Sequence, residues 1–258
     1  LEYTSADSCF HAFIELADSP ESRSAGRLYL TYIPVHQGKF NEALELLDEY
    51  LGADSLESDL SHTADNQAQK RFLIALIYRE KGNYDRVLAE TNRTLELYRT
   101  RRPEDRWGYQ YMYAQFLAEA GRYERAESAA AEMKAYIESL GDSTVPDYWY
   151  ANGCINLARG DTAAAVSSFE QAAESNQRIY LRYMFGRTCL STGRLARAVE
   201  LFEQVLSTYT SSRAFWNIWA TQCHYYLGQA YEQSRWYDRA AEQYRLYIEA
   251  RENPDQSI

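Results

Sequence analysis

Apolar and small residues recur along most of the chain at spacings of three and four, with a glycine between neighbouring stretches. The pattern Gly-x-aromatic-x-x-Ala occurs at residues 38–43 and again at 121–126, and looser copies end at four other positions. We call the last residue of each copy its anchor: Ala43, Val87, Ala126, Ala165, Ala198 and Ala240. Residues four and seven after an anchor share one face of an α-helix. The pattern therefore predicts helix pairs, with the glycine ending the first helix of each pair.

A small residue stands twelve positions before every anchor. This row is Thr31, Ala75, Ala114, Gly153, Gly186 and Gly228. A small side chain lets another helix approach closely, so we expect the two helices of each pair to meet along this row. The residues four after the anchors are Leu47, Thr91, Ala130, Phe169, Phe202 and Tyr244. Because one pair cannot bury its apolar face alone, successive pairs must stack.

These residues resemble the tetratricopeptide repeat (TPR). The last copy reads Leu227-Gly228-x-x-Tyr231, then Tyr237-x-x-Ala240-x-x-x-Tyr244-x-x-Tyr247, and the fourth copy has Trp149 and Gly153 at the family's tryptophan and glycine places. The resemblance implies an all-α, right-handed superhelix (solenoid) of antiparallel helix pairs with about six repeats. More loosely, the chain resembles the TPR region of larger bacterial signalling or regulatory proteins.

The local pattern also predicts how the chain is divided. We expect an N-terminal capping helix in residues 1–22, the repeat array in 23–251 and a C-terminal tail in 252–258. Ser19-Pro20, Pro103 and Pro146 are typical of helix starts. The polar insertion at 53–64 is predicted to be a loop or a short helical turn, and Ser211–Ser234 one long helix.

Composition narrows the classes of partner. The chain has 258 residues, a net charge of −10 and 46% hydrophobic residues, and this hydrophobic share excludes a disordered chain. Its 12 glycines and 5 prolines are too few for a collagen-like chain. The acidic balance disfavours nucleic acid and membrane surfaces, since both attract positive charge. The four cysteines form no CxxC pair, so we expect buried reduced thiols in a cytoplasmic protein. The chain begins Leu1-Glu2-Tyr3, without methionine, and we expect it to be a piece of a longer protein.

Catalytic chemistry finds no support in the sequence. Cys223 and His224 are adjacent, so a helix would point them about 100° apart, which makes a poor dyad. There is no HExxH, GxSxG or phosphate-loop motif, and no cysteine–histidine cluster. We therefore expect no enzyme, no metal and no cofactor. Arg99, Arg101, Arg102 and Arg106 could bind an acidic partner, but a loop with local counter-charges at Glu104 and Asp105 is favoured.

The resemblance also implies a binding face. Fifteen residues before each anchor stand Leu28, Phe72, Tyr111, Tyr150, Tyr183 and Tyr225. In TPR proteins this side lines a concave groove where peptides usually bind. The implied peptide-binding residues are Tyr111, Tyr150, Tyr183, Tyr225, Arg79, Arg187, Gln115 and Gln229. Tyrosine offers apolar area with one hydroxyl, and arginine can bind a carboxylate with two hydrogen bonds. The alternative is that these rings only pack against each other between adjacent first helices.

One TPR subclass is rejected, and three functions stay open. Co-chaperones that clamp a C-terminal carboxylate carry Lys and Asn on this face, whereas this chain has Leu28, Tyr32, Phe72 and Leu76 there. We favour a protein–protein interaction scaffold or sensor that binds a peptide or protein segment. The alternatives are a small-ligand sensor with a pocket among Tyr150, Tyr183 and Arg187, and a homo-oligomer formed through the C-terminal aromatic residues. Those residues are Phe215, Trp216, Trp219 and Trp236.

Overall fold

The computed structural model describes residues 3–57, 60–101, 108–141, 145–175, 177–251 and 254–255. Within these ranges every regular element is an α-helix, so the all-α fold class is confirmed. The helices are α1 (Tyr3–Leu16), α2 (Pro20–Gln37), α3 (Phe40–Glu57), α4 (Leu60–Glu80), α5 (Tyr84–Arg101), α6 (Gln110–Glu119), α7 (Tyr123–Ser139), α8 (Pro146–Ala158), α9 (Thr162–Ser175), α10 (Ile179–Ser191), α11 (Leu195–Leu206), α12 (Ser211–Phe215), α13 (Asn217–Gln233) and α14 (Tyr237–Ala250).

The described residues form two compact units. Unit 1 falls within Leu1–Tyr109 and Arg251–Ile258 and holds α1 to α5, and unit 2 falls within Gln110–Ala250 and holds α6 to α14. Helices that follow each other through a tight turn pack side by side, as α4 and α5 do in unit 1 and α8 and α9 in unit 2. The predicted division into residues 1–22, 23–251 and 252–258 concerns repeats rather than compact units, and it stays a prediction.

Two of the predicted helix starts are confirmed. Ser19 is the N-cap of α2, where its Oγ accepts a hydrogen bond from the Ser22 backbone N–H at 3.1 Å, and Pro20 is the first helical residue. Pro146 begins α8. The start at Pro103, the arginines at 102 and 106, the loop residues 142–144 and most of the tail lie outside the described residues.

The glycine turns are confirmed. Five first helices end on a glycine with a φ of 70° to 83°, and these are Gly38, Gly82, Gly121, Gly160 and Gly193. After Gly193, the Arg194 N–H returns to the Cys189 carbonyl at 2.8 Å, which closes the helix end. In the last copy Arg235 stands in the glycine's place with a φ of 63°, and the following N–H, of Trp236, bonds to the Tyr231 carbonyl at 2.8 Å. The turn is therefore preserved there without glycine.

This turn allows a direct test of backbone strain. Arg235→Gly is expected to raise the free energy of unfolding by about 1 kcal/mol, because a side chain in the left-handed region clashes with its own backbone. Gly193→Ala should lower it by a similar amount, since a Cβ there would meet no described atom within 4 Å and only the backbone conformation resists. Urea unfolding followed by circular dichroism measures both. If Arg235→Gly left the free energy of unfolding unchanged, this turn would carry no strain.

The close approach of paired helices is confirmed at three glycines in unit 2. A Cβ built on Gly153 would lie 2.7 Å from the Phe169 ring, one on Gly186 would lie 2.7 Å from Phe202, and one on Gly228 would lie 2.6 Å from Tyr244. Each ring belongs to the second helix of the same pair, at the predicted position four after the anchor. The glycine thus makes room for an aromatic ring that would otherwise clash.

Two predictions on element boundaries are wrong. The segment at 53–64, predicted as a loop or a short helical turn, instead belongs largely to two long helices, because α3 continues to Glu57 and α4 begins at Leu60. Asp54 lies on the same buried face of α3 as Ala43 and Leu47, so polar character did not mark exposure. The single long helix predicted at 211–234 is broken at Trp216, between α12 and α13. The Trp216 ring turns into the core there and stacks on Trp219 at 4.9 Å.

Candidate functional site

The predicted row of four tyrosines lies on the first helices of unit 2. Tyr111 is on α6, Tyr150 on α8, Tyr183 on α10 and Tyr225 on α13. The first three rings are buried, whereas Tyr225 is 39% exposed. The expectation that all four rings line an open groove is therefore wrong for Tyr111, Tyr150 and Tyr183. Any contribution of these three to partner binding stays a prediction.

Tyr150 is held in an aromatic core. Its ring meets Tyr111 edge-on at 5.7 Å and Tyr180 edge-on at 4.8 Å. Its hydroxyl donates to Gln115 Oε1 at 2.5 Å, and Gln115 in turn donates from Nε2 to Glu119 Oε1 at 2.8 Å. Complete burial raises the pKa of Tyr150 well above its ordinary value. Tyr150 and Gln115 are thus a neutral buried pair rather than exposed binding groups.

Tyr183 supports an arginine. Its ring stacks almost parallel on Trp219, with centroids 5.0 Å apart, and its hydroxyl donates to Gln222. The guanidinium of Arg187 lies over the Tyr183 ring at 5.5 Å and over the Tyr226 ring at 5.1 Å. Contact with two ring faces attracts the cation and fixes the plane of the half-buried guanidinium.

The exposed end of the row is linked to this arginine through Tyr226. Tyr225 meets the Tyr226 ring at 5.4 Å, and Gln229 donates from Nε2 to the Tyr225 hydroxyl at 3.0 Å. We call Arg187, Tyr225, Tyr226 and Gln229 the arginine–tyrosine face. All four are at least partly exposed and belong to α10 and α13. Tyr226 was not among the predicted site residues, although its place beside Tyr225 in the sequence could have indicated it.

Arg79 does not belong to this face. It lies on α4 in unit 1, where its Nη1 is 3.3 Å from Glu80 Oε1 and its side chain is largely covered. The predicted set therefore falls in two places, with Arg79 in unit 1 and the other seven residues in unit 2.

The C-terminal aromatic residues are divided in the same way. Trp216 and Trp219 are buried, and Phe215 is half-buried with its ring edge-on to Trp216 at 5.0 Å. Trp236 is exposed. A patch of four exposed rings is thus not formed. The homo-oligomer stays a prediction, and of the four residues Trp236 alone is exposed.

A buried charged cluster in unit 1 was missed by the sequence argument. Lys70 on α4 donates from Nζ to Asp54 Oδ2 at 2.6 Å and to the Ser24 carbonyl and hydroxyl, each at 2.9 Å. Arg27 Nη1 donates to Asp54 Oδ1 at 3.0 Å. Desolvation, partly offset by Asp54, lowers the pKa of Lys70 to about 8. The ammonium is fully buried with three acceptors, so this is a structural cluster rather than an accessible nucleophile.

Among the described residues, the cysteines and His224 lie in separate environments. Cys154, Cys189 and Cys223 are buried, as expected, whereas Cys9 is exposed. Burial raises the pKa of the Cys189 thiol to about 11 and raises that of Cys223 as well. His224 pairs with Gln243 Oε1 at 2.8 Å instead of with Cys223. Among the residues described, no three or more His, Cys, Asp or Glu side chains gather as a metal site would require. Within the same ranges, no helix combines the length and the apolar character needed to span a bilayer.

The fold is that of a helical-repeat protein. Residues 156–220 match a family model described as tetratricopeptide repeat, and residues 221–254 match a second model with the same description. Residues 156–254 thus carry tetratricopeptide repeats. Tetratricopeptide repeats generally mediate protein–protein interaction, and their fold is generally a non-enzymatic scaffold.

The chain is similar to several solved structures, of which the first named here supports the fold. BtubC (BKLC) from P. vanneervenii is 16% identical with a TM-score of 0.52, and the match covers 100% of this chain and 97% of that one. A tetratricopeptide repeat protein from Parabacteroides merdae ATCC 43184 is 18% identical over 98% of this chain and 88% of its own, with a TM-score of 0.49. A Rap protein complexed with Competence and Sporulation Factor is 15% identical over 87% and 74%, also with a TM-score of 0.49. No curated protein matches the chain.

Proposed function

We propose that this protein is a non-enzymatic interaction domain that binds a peptide or an extended protein segment across the arginine–tyrosine face. The observation that carries the proposal is the exposure of Tyr225 at the place in the repeat where Tyr150 and Tyr183 are buried. Helix α13 thus presents to solvent the ring that α8 and α10 use for packing. Three further side chains of suitable chemistry lie beside it.

The chemistry of the face suits an acidic or carboxylate-bearing segment. Stacking over the Tyr183 and Tyr226 rings orients the Arg187 guanidinium, and a planar guanidinium recognises carboxylates through paired N–H groups. Tyr225 adds a broad apolar surface that loses little rotamer entropy on binding. Gln229 holds the Tyr225 hydroxyl in place. In this proposal the buried tyrosines position the face and do not touch the partner.

Peptides selected from a random display library on the full chain provide the test. We expect Tyr225→Ala and Arg187→Ala each to weaken a selected peptide about tenfold or more in isothermal titration calorimetry, because aromatic and arginine anchors dominate such interfaces. Tyr209→Ala is the matched control, since Tyr209 is 87% exposed but lies between α11 and α12. If neither change on the face weakens binding, or the control weakens it equally, the site is placed wrongly.

Two other proposals concern the setting of the protein. We place it in the cytoplasm, because the three buried cysteine thiols favour a reducing compartment. We also expect it to serve a signalling or regulatory protein. The small-ligand alternative gains no support from the contacts of Tyr150 and Tyr183, because both hydroxyls already donate within the core.

A further inference from the structure

In unit 2, the second helices α7, α9 and α11 contact the next pair through positions that lie on one side of the helix. In α7, the Tyr123 hydroxyl donates to the Ala158 carbonyl at 3.1 Å and Glu127 pairs with Arg159 at 2.5 Å. These residues stand three before and one after the anchor Ala126. Eight residues after the same anchor, Lys134 of α7 lies over the Tyr148 ring at 4.7 Å. In α9 and α11 the contacting residue is the fifth after the anchor: Glu170 pairs with Arg194 at 3.1 Å, and Glu203 accepts from Tyr231 Oη at 2.6 Å.

Helix α14 is the second helix of the last pair, and it presents the same positions to solvent. They are occupied by Tyr237, Ala241, Arg245 and Ile248. Tyr237 is 64% exposed and Ile248 is 69% exposed, and Ala241 and Arg245 are exposed as well. Arg245 makes a surface ion pair with Glu249 at 2.6 Å, which is a weak interaction within one helix. The stacking surface of the array is therefore uncovered on α14, with two large apolar side chains on it.

The order of residues on this surface is self-complementary. Helix geometry places Tyr237, Ala241 and Ile248 in one row, with Asp238 and Arg245 along one edge. Two pairs of residues are placed symmetrically about the middle of this surface. The midpoint between Tyr237 and Ile248, and that between Asp238 and Arg245, each fall within one residue of Glu242. When two such helices pack antiparallel, each tyrosine meets an isoleucine and each aspartate meets an arginine. The small Ala241 falls near the centre, where it allows the helices to approach closely.

We propose that this α14 face, made of Tyr237, Asp238, Ala241, Arg245 and Ile248, joins two copies of the chain as an antiparallel helix pair about a two-fold axis. A two-fold contact requires each residue to find its complement on an identical surface, and the reciprocal charge pairs meet that requirement. An amphipathic helix from another protein could cover the apolar row, but it would not need charges mirrored about the centre. The proposal is independent of peptide binding by the arginine–tyrosine face.

Charge reversal tests the reciprocal pairs. In sedimentation equilibrium of the full chain we expect a concentration-dependent dimer. Asp238→Arg alone and Arg245→Asp alone should each raise the dimer dissociation constant about tenfold or more, because each opposes like charges twice in one interface. The double variant Asp238→Arg/Arg245→Asp should return close to the wild-type constant. Leu56→Ser is the matched control, since Leu56 is 91% exposed on α3 in unit 1 and is not part of the α14 face, so its loss should change nothing.

A cross-link tests the register. In a Cys9→Ser background, Ala241→Cys should form an interchain disulfide under mild oxidation, because the two copies meet there, while Tyr209→Cys should form little. Circular dichroism verifies that each variant is folded. A wild-type chain that stays monomeric, a double swap that fails to restore the dimer, or equal cross-linking at the two cysteines would each overturn the proposal. A folded monomer that instead captures a helical peptide on this face would assign the surface to a different partner and overturn it too.

Discussion

Replacing Asp54 with alanine is expected to lower the free energy of unfolding by about 3–5 kcal/mol, because it strands a buried cation. Asp54 and Lys70 are both fully buried, and the Lys70 ammonium lies 2.6 Å from the carboxylate. Arg27 holds the second carboxylate oxygen at 3.0 Å. Because the cluster joins α2, α3 and α4, its loss should loosen all three helices. Urea unfolding followed by circular dichroism measures the change.

The defect should also depend on pH in a defined direction. The pKa of Lys70 is lowered to about 8 in the folded protein, below its ordinary value of 10.5. The unfolded chain therefore binds more protons than the folded one between these values, and this group adds stability as pH rises through that window. Without Asp54 the pKa should fall further. The defect of Asp54→Ala should consequently shrink as pH rises toward about 8 and level off above it, because the variant's buried amine sheds its proton at a lower pH than the wild type's.

A double variant separates charge from packing. Asp54→Leu/Lys70→Met removes both buried charges with apolar replacements of similar size, and it should recover much of the stability that Asp54→Ala loses. A defect that is the same at every pH, and that the double variant does not relieve, would mean that Asp54 acts through shape alone.

The sequence predicted the turns and the helix pairing because both rest on local steric rules. A helix end with positive φ and a close approach to a ring both favour glycine, whatever the rest of the fold is. Both can therefore be recognised in the sequence. Gly193 and Gly186 show the two cases. The predicted fold class depended on these positions, and they were confirmed.

The buried charges escaped prediction because polarity alone was taken as a sign of exposure. Asp54 stands eleven residues after Ala43, so it continues the buried face through Ala43 and Leu47. Helical spacing could have revealed it, but its burial depends on Lys70, sixteen residues further along, and on Arg27 in another helix. Contacts between separate helices of this kind leave no local pattern.

The candidate face was only partly predictable for a related reason. A ring that packs between first helices and a ring that faces solvent have the same helical spacing, so sequence could place Tyr150 and Tyr225 in one row without separating them. The difference lies in what each ring meets. Tyr150 is enclosed by Tyr111, Tyr180 and Gln115, whereas Tyr225 contacts rings of its own pair and stays partly exposed.

Tyr150→Ala is accordingly expected to cost about 3–5 kcal/mol of unfolding free energy, since it empties an aromatic core and leaves Gln115 without its phenol. Tyr225→Ala is the matched control at the same place in the repeat, and it should cost about 1 kcal/mol or less because the ring is partly exposed. Urea unfolding should thus separate two substitutions that the sequence treats alike. Peptide affinity measured below the unfolding range should then fall for Tyr225→Ala while its fold persists. If a stable Tyr150→Ala variant lost peptide affinity as strongly as Tyr225→Ala, Tyr150 would belong to the binding surface. The distinction between supporting and contacting tyrosines would then be wrong.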